Sequence, residues 1–256
     1  MSNILITAPL LISAIAVSRG TGGGNLLTPE PKEVWADSAV GTAANIDIDL
    51  GSVQSIDTIA LISVTPPAAG ATWSISGGAA SYTTNAIKGA GPLRAVDAAG
   101  QAQPRSHAFH FGATWAVRYI RISLTQPAGQ GALSVGVPVV GRAFVPAFNN
   151  EWGAGRRVID TGSSTALPSG GFANVAGVRK GSYGFTLCDL SNEEIDALYA
   201  IQLVVGETAP LLIVEDPTAT SGQYHRIHYG QLRSLRQFDR RSPGRSRWEI
   251  SIEDWV

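Results

Sequence analysis

A single cysteine, Cys188, is all this chain contains. No intrachain disulfide can form, and the clustered thiolates of a structural zinc site are missing. Small secreted domains are normally stapled by several disulfides, so the sequence reads as one that folds in a reducing cytoplasm. Charge is scarce too. Only 15% of the 256 residues are Asp, Glu, Lys or Arg, and the formal net charge is −1. That leaves no global attraction to nucleic acid or to an anionic membrane. Neither half departs from this balance: residues 1–142 carry 8 basic and 7 acidic side chains, and residues 143–256 carry 11 and 13. No long apolar run is present. Residues 4–17 are mostly apolar, but Thr7, Pro9 and Ser13 interrupt them and no basic segment precedes them. A bilayer span needs about 20 apolar residues, so strand is expected here rather than a targeting segment.

The chain does contain 44% hydrophobic residues, 29 glycines and 14 prolines. Short apolar runs separated by turn residues predict many strands. In the first half these fall at residues 4–6, 11–17, 46–50, 58–64, 72–76, 106–111, 119–124 and 133–140, with almost no helical period. The clearest pattern is at 44–64, ANIDIDLGSVQSIDTIALISV. It predicts two strands, 46–50 and 58–64, joined by a turn at Gly51-Ser52. Ile46, Ile48 and Leu50 alternate with Asp47 and Asp49, so the aliphatic residues face a core and the aspartates face water. Residues 119–124 repeat the pattern with Ile120, Ile122 and Leu124 inward, and Trp115, Arg118 and Arg121 lie on or beside that strand. This organisation predicts a mainly β fold with a sandwich over residues 1–142.

The second unit, residues 143–256, begins with a Gly- and Ser-rich stretch at 153–177 that reads as loop. A strand follows at 182–187. The one convincing helix starts after it: Ser191 is placed as N-cap, and Glu194 three residues later completes a capping box. Glu193, Glu194 and Asp196 suit the positive end of the helix dipole, and Gly206 is placed as the stop. Further strands are expected at 211–214, 224–232 and 248–252.

Little in the chain suggests catalysis. The Gly20–Asn25 segment matches neither a P-loop nor a dinucleotide fingerprint and reads as a flexible turn. No G-x-S-x-G elbow surrounds Ser163 or Ser164. His107 and His110, like His225 and His228, are three apart, a spacing that points to opposite faces on a strand. Asp47, Asp49 and Asp57 lack an EF-hand pattern and read as a solvated strand face. Cys188 reads as core. No cofactor and no metal is expected. One charge feature is unusual: Arg233, Arg236, Arg240, Arg241, Arg245 and Arg247 stand against a single acid, Asp239, around a Ser242-Pro243-Gly244 turn. Such a set suits phosphate contact or a subunit interface. The interface is preferred, because arginine forks bind carboxylates bidentately and Glu193, Glu194 and Asp196 supply acids.

Two resemblances add to this reading. Asn25-Leu26-Leu27, Val34-Trp35, IDIDLG, IDTIALISV and VRYIRISL together resemble the galactose-binding-like (discoidin-type) jelly roll. In the second half, YGFTL at 183–187, SNEEIDALYAI at 191–201, PLLIVEDP at 210–217, HYG at 228–230 and WEISIEDW at 248–255 resemble the ring-forming, tail-tube-like domain of siphophage distal or minor tail proteins. In many of those proteins the ring domain comes first, whereas here the jelly roll does.

The resemblance implies a jelly-roll β-sandwich at 1–142 followed by a tail-tube-like β-sandwich carrying one α-helix at 143–256. It also implies a structural virion component of a tail tip or baseplate, assembled in the host cytoplasm. Its expected partners are its own copies in a sixfold ring, the tail-tube protein, hub and fibre proteins, and a host surface glycan, without specific nucleic-acid binding or membrane insertion. The alternative is a non-enzymatic carbohydrate-binding protein in which Trp35, Trp73, Tyr82 and Trp115 stack on sugars. A hydrolase is the remaining alternative and lacks a recognisable catalytic set.

Overall fold

The computed structural model describes residues 3–65, 67–94, 106–219 and 223–255. In chain order its strands are β1 (Leu5–Thr7), β2 (Ala14–Val17), β3 (Trp35–Ala36), β4 (Ala43–Val64), β5 (Thr72–Gly78), β6 (Asn85–Pro92), β7 (Ser106–Thr125), β8 (Ser134–Val135) and β9 (Val137–Gly141). The second half adds β10 (Gly155–Asp160), β11 (Ser163–Ala166), β12 (Phe172–Val175), β13 (Arg179–Leu190), helix α1 (Asn192–Val205), β14 (Leu211–Val214), β15 (Ile227–Leu232), β16 (Asp239–Ser242) and β17 (Arg245–Asp254). The fold is mainly β, as the turn-rich composition predicts.

The first unit is built on a six-stranded antiparallel sheet in the order β2-β4-β7-β5-β6, with β9 also on β4, and a small β3–β8 pair beside it. The segment read as two strands and a turn is one strand, β4. Gly51 does adopt the left-handed region, at φ 78°, but it opens a bulge and not a reversal. The register against β7 slips between Asp49 and Gln54, and pairing resumes at Gln54–Val117. A bulge bends a strand without ending it, which lets β4 serve two layers. Its first half buries Ile46, Ile48 and Leu50 on one side only. Its second half is buried on both sides. Ile59, Leu61 and Val64 enter the jelly-roll core with Trp35, Trp73, Ile120 and Ile122, while Ala60 and Ile62 point the other way into a separate apolar cluster. The unbroken run from Ile59 to Leu61 is the sequence mark of that two-sided burial.

The second unit is a seven-stranded sheet in the order β1-β14-β15-β17-β13-β10, with β16 hairpinned onto β17. Its founding edge pair is long-range. Leu5, Ile6 and Thr7 pair with Val214, Ile213 and Leu212, so the first strand of the chain sits in the sheet of the second unit. A division at residue 142 groups these residues with the jelly roll; their hydrogen bonds place them across from it. One face of this sheet packs under α1 through Phe185, Leu187, Leu198, Trp248 and Ile250. The other meets the back of the jelly roll, where Leu5, Leu212, Val214, Ile227 and Tyr229 close on Ala60, Ile62, Val137 and Val139. Two hydrogen bonds from side chains reinforce that seam: Tyr229 donates to the carbonyl of Pro29 at 3.1 Å, and the Trp255 indole to Glu30 at 2.8 Å.

The helix forms as its ends predict. Ser191 Oγ accepts from the Glu194 amide at 3.2 Å, and the Glu194 carboxylate accepts from the Ser191 amide at 2.8 Å. Gly206 closes it. The stretch at 153–177, expected as loop, is β-structured: β10 pairs with β13, and β11 pairs with β12 as a two-stranded extension. Its glycines and serines concealed strand propensity, because an exposed ribbon needs no apolar alternation. No described helix is long and apolar enough to cross a membrane.

Candidate functional site

Outward-facing residues of β4, β7 and β5 form a polar surface over the jelly-roll core. Cross-strand register sets its rows. Asn45, Ser123 and Ser74 align in one row, Asp47, Arg121 and Ser76 in the next, and Asp49 with Tyr119 in a third. Their inward neighbours Ile46, Ile48, Ile120, Ile122 and Ile75 are buried, which fixes every second side chain toward solvent. Arg121 binds Asp47 with both ends of its fork, at 2.6 Å each. Arg118 does the same to Asp49 at 2.8 and 2.9 Å. Asp49 also accepts from the Gly51 amide at 2.7 Å, so the bulge glycine orients the carboxylate. The Arg118 hydrogen bonds, followed by that from Gly51, hold the Asp49 carboxyl below its usual range.

Two tyrosines complete the surface. Tyr82, on the β5–β6 connection, meets Tyr119 edge to face with centroids 5.1 Å apart. The Arg118 guanidinium lies 4.8 Å from the Tyr119 ring centre, and that of Arg121 lies 5.6 Å from Tyr82. Ser76 Oγ donates to the Tyr82 carbonyl at 2.8 Å, anchoring the turn that carries the ring. Planar rings, fixed guanidinium–carboxylate pairs and flanking hydroxyls are thus held on rigid strands. Such preorganised surfaces suit polyhydroxylated ligands, which need both donors and acceptors beside an apolar face.

The four sugar-stacking candidates divide. Trp35 and Trp73 are core residues, fully buried; the Trp35 indole donates to the Arg19 carbonyl at 2.9 Å. Neither presents a ring to solvent. Trp115 is half-buried against the same core. Tyr82 alone of the four lies on the polar face. Asp47 and Asp49, expected as a merely wet face, are instead each locked to an arginine. Sequence alternation showed which side they occupy, but the pairing partners lie about seventy residues away and depend on register.

The arginine set of the second unit is mostly satisfied within its own chain. Arg233 pairs with Glu253, Arg236 with Glu249 and Arg247 with Glu151, at 2.6, 2.6 and 2.9 Å. Arg245 donates to the Asp189 carbonyl at 2.7 Å. Arg240 and Arg241 are exposed on β16, and no ion pair joins either to a described residue. Glu194 is committed to the helix cap and also accepts from the Ala147 amide at 2.7 Å. Glu193 and Asp196 are exposed on the first turns of α1.

A cleft of about 530 Å³ opens where the two units meet, lined by Ser63, His107, Arg156, Tyr224, His228 and Asp254 among others. His228 hydrogen-bonds Asp254 at 3.1 Å and Glu215 at 2.9 Å, and Arg156 grips Glu215 at 2.6 Å twice. Burial opposes charge on His228, but its two carboxylate partners outweigh burial and raise its pKa to about 9. His107, stacked on Tyr224, is lowered to about 4 by burial. Alternating charges here satisfy one another, and no group of three metal-ligating side chains occurs among the described residues. Cys188 is half-buried, and burial pushes its thiol up, away from the thiolate that nucleophilic chemistry needs.

No protein-family model matches the chain, and no curated protein matches it significantly. Among solved structures, the chain is similar to the CBM32 of AlyQ in complex with 4,5-unsaturated mannuronic acid, at 21% identity over 52% of this chain and 97% of that one, TM-score 0.38. It is also similar to chitosan-binding module 2 in complex with chitotriose, from a chitosanase/glucanase of Paenibacillus sp. IK-5, at 20% identity over 52% and 98%, TM-score 0.40. A third is the lectin binding domain of lectinolysin complexed with Lewis b, at 13% identity over 53% and 96%, TM-score 0.35. Each covers about half of this chain, and the ligands named are those of the modules themselves.

Proposed function

We propose that the chain is a non-catalytic binding protein whose jelly roll holds a glycan on the outer face of β4, β7 and β5. One observation supports this reading above others: Tyr82 and Tyr119 stand together on an otherwise hydroxyl-rich strand surface, each beside an arginine clamped by an aspartate. The rings offer apolar faces to sugar C–H groups, and the clamped pairs offer hydrogen-bonding groups without the entropy cost of ordering long side chains. Glycan-array screening of the full chain tests it. Binding lost in Tyr82→Ala, with thermal stability retained, supports the site; a blank array removes it.

A second reading is favoured by a separate observation in the second unit. Beyond the exposed Glu193 and Asp196, the C-terminal half of helix α1 is apolar on its outer side as well as its inner one: Tyr199, Leu203 and Val204 are 53%, 70% and 72% exposed. Exposed apolar surface of this kind commonly marks an interaction site. The β11–β12 extension adds Phe172 and Val175, both 68% exposed. This supports assembly with further copies of the chain, as in the ring of a phage tail tip bearing tube, hub and fibre proteins, with the jelly roll as attachment module. Mass photometry and negative-stain imaging test it. Closed rings that Leu203→Glu dissolves support assembly; a monomer at every concentration sinks it. Charge reversal of Arg240 and Arg241 is expected to impair the same assembly and to leave the monomer folded.

A further inference from the structure

The outer face of β4, β7 and β5 has a property that narrows its ligand: among the described residues, its two cations are each consumed by a carboxylate. Arg121 and Arg118 direct Nε and Nη2 at Asp47 and Asp49, so the pairs carry no net charge. We infer, resting on the glycan reading above, that this face selects an internal stretch of an uncharged linear polysaccharide and rejects acidic ones.

A uronate or sulfate laid on the face would meet the aspartates as readily as the arginines, and could gain a bidentate guanidinium fork only by displacing an aspartate already held in that way. A sugar hydroxyl has no such conflict. Each guanidinium keeps donors outside the clamped fork, and each carboxylate keeps lone pairs. Donor and acceptor therefore stand side by side, as a vicinal diol requires. Shape adds to this. The surface is a run of strand rows, and its residues lie outside the cleft between the two units. Two strand spacings give it a width of about 10 Å, from Asp47 through Arg121 to Ser76. An open platform has no wall to recognise a chain terminus, so affinity accumulates along a polymer and stays weak for a single sugar.

Affinity electrophoresis of the full chain tests the inference, with a neutral linear glucomannan, a neutral mixed-linkage glucan and alginate as probes. Wild type is expected to be retarded by a neutral polymer, equally at low and high salt, and not by alginate. Tyr82→Ala is expected to weaken that retardation by about tenfold, the scale of one lost contact. Asp47→Asn frees the Arg121 charge without changing side-chain size; this variant is expected to acquire alginate retardation that salt abolishes. Thermal unfolding of each variant separates loss of binding from loss of fold, and Asp47→Asn reads as a gain, which an unfolded protein cannot supply. Alginate retarding wild type through Tyr82 overturns the neutral selection while leaving glycan binding intact. No retardation by any polymer overturns both.

Discussion

Arg118 of β7 and Asp49 of β4, 69 residues apart in sequence, close a bidentate pair at 2.8 and 2.9 Å. The Gly51 amide, at the bulge, donates a third hydrogen bond to the same carboxylate at 2.7 Å. Its titration is a direct check. The Asp49 carboxyl is expected to titrate below an ordinary aspartate, and Arg118→Met to move it back toward the usual value, read from carboxyl carbon shifts in NMR. Gly51→Ala, at a positive φ that strains a side chain, is expected to raise it too.

Stability is expected to fall on both sides of neutrality, through two different histidines. His228 has a folded pKa of about 9 against 6.5. Its contribution is therefore complete below pH 6.5, declines as pH rises through 9, and is on the order of 3 kcal/mol. His107 has a folded pKa of about 4 and accepts the Ser63 amide on Nδ1 at 3.3 Å, which requires the neutral ring. Its contribution is complete above pH 6.5 and is lost as pH falls toward 4. Urea midpoints measured across pH check this: His228→Gln should flatten only the alkaline limb, and His107→Gln only the acidic one.

Trp73 and Trp35 belong to the fold and not to recognition. Truncation of either to alanine is expected to cost about 3–5 kcal/mol, seen as a lower denaturant midpoint. Trp73→Phe, which keeps most of the buried ring, should bind any glycan as wild type does. A selective loss of glycan affinity without loss of stability would contradict the burial of these rings.

The α1 cap is worth testing alone, because Glu194 serves two elements. Ser191→Ala is expected to cost about 1 kcal/mol, a fall of about 2–4 °C in Tm. Glu194→Ala should cost more, since it also releases the Ala147 amide that tethers the segment after the jelly roll. Equal effects from the two variants would show that the tether contributes nothing.

Much of this architecture was legible before any coordinates. The β14 strand at Leu211–Val214, the capping box of Ser191 and Glu194, the stop at Gly206 and the inward set Ile46, Ile48, Ile120 and Ile122 all follow from short-range rules. Those rules describe a residue and its neighbours within a few positions, and local dihedral preference and periodicity are enough to apply them. The candidate site was legible only in part. Tyr82 could be named as a sugar-stacking candidate, but Trp35 and Trp73, named with it, look the same in sequence and are core. An aromatic ring is apolar and flat wherever it sits; the side of the sheet it occupies decides its use.

The sequence by itself determined the mainly β class, the alternating burial of the first half of β4 and of the end of β7 that faces it, the helix and its ends, and the near-neutral, cysteine-poor character of the chain. The tertiary structure decided the rest. Register brought Asp47 to Arg121 and Asp49 to Arg118, a bulge replaced the expected turn at Gly51, and β1 left the jelly roll to pair with β14. It also gave Arg233, Arg236 and Arg247 acids within their own chain. Each of these depends on contacts between residues far apart in sequence, where the free energy of a shared core selects one pairing among many that local preferences leave equal.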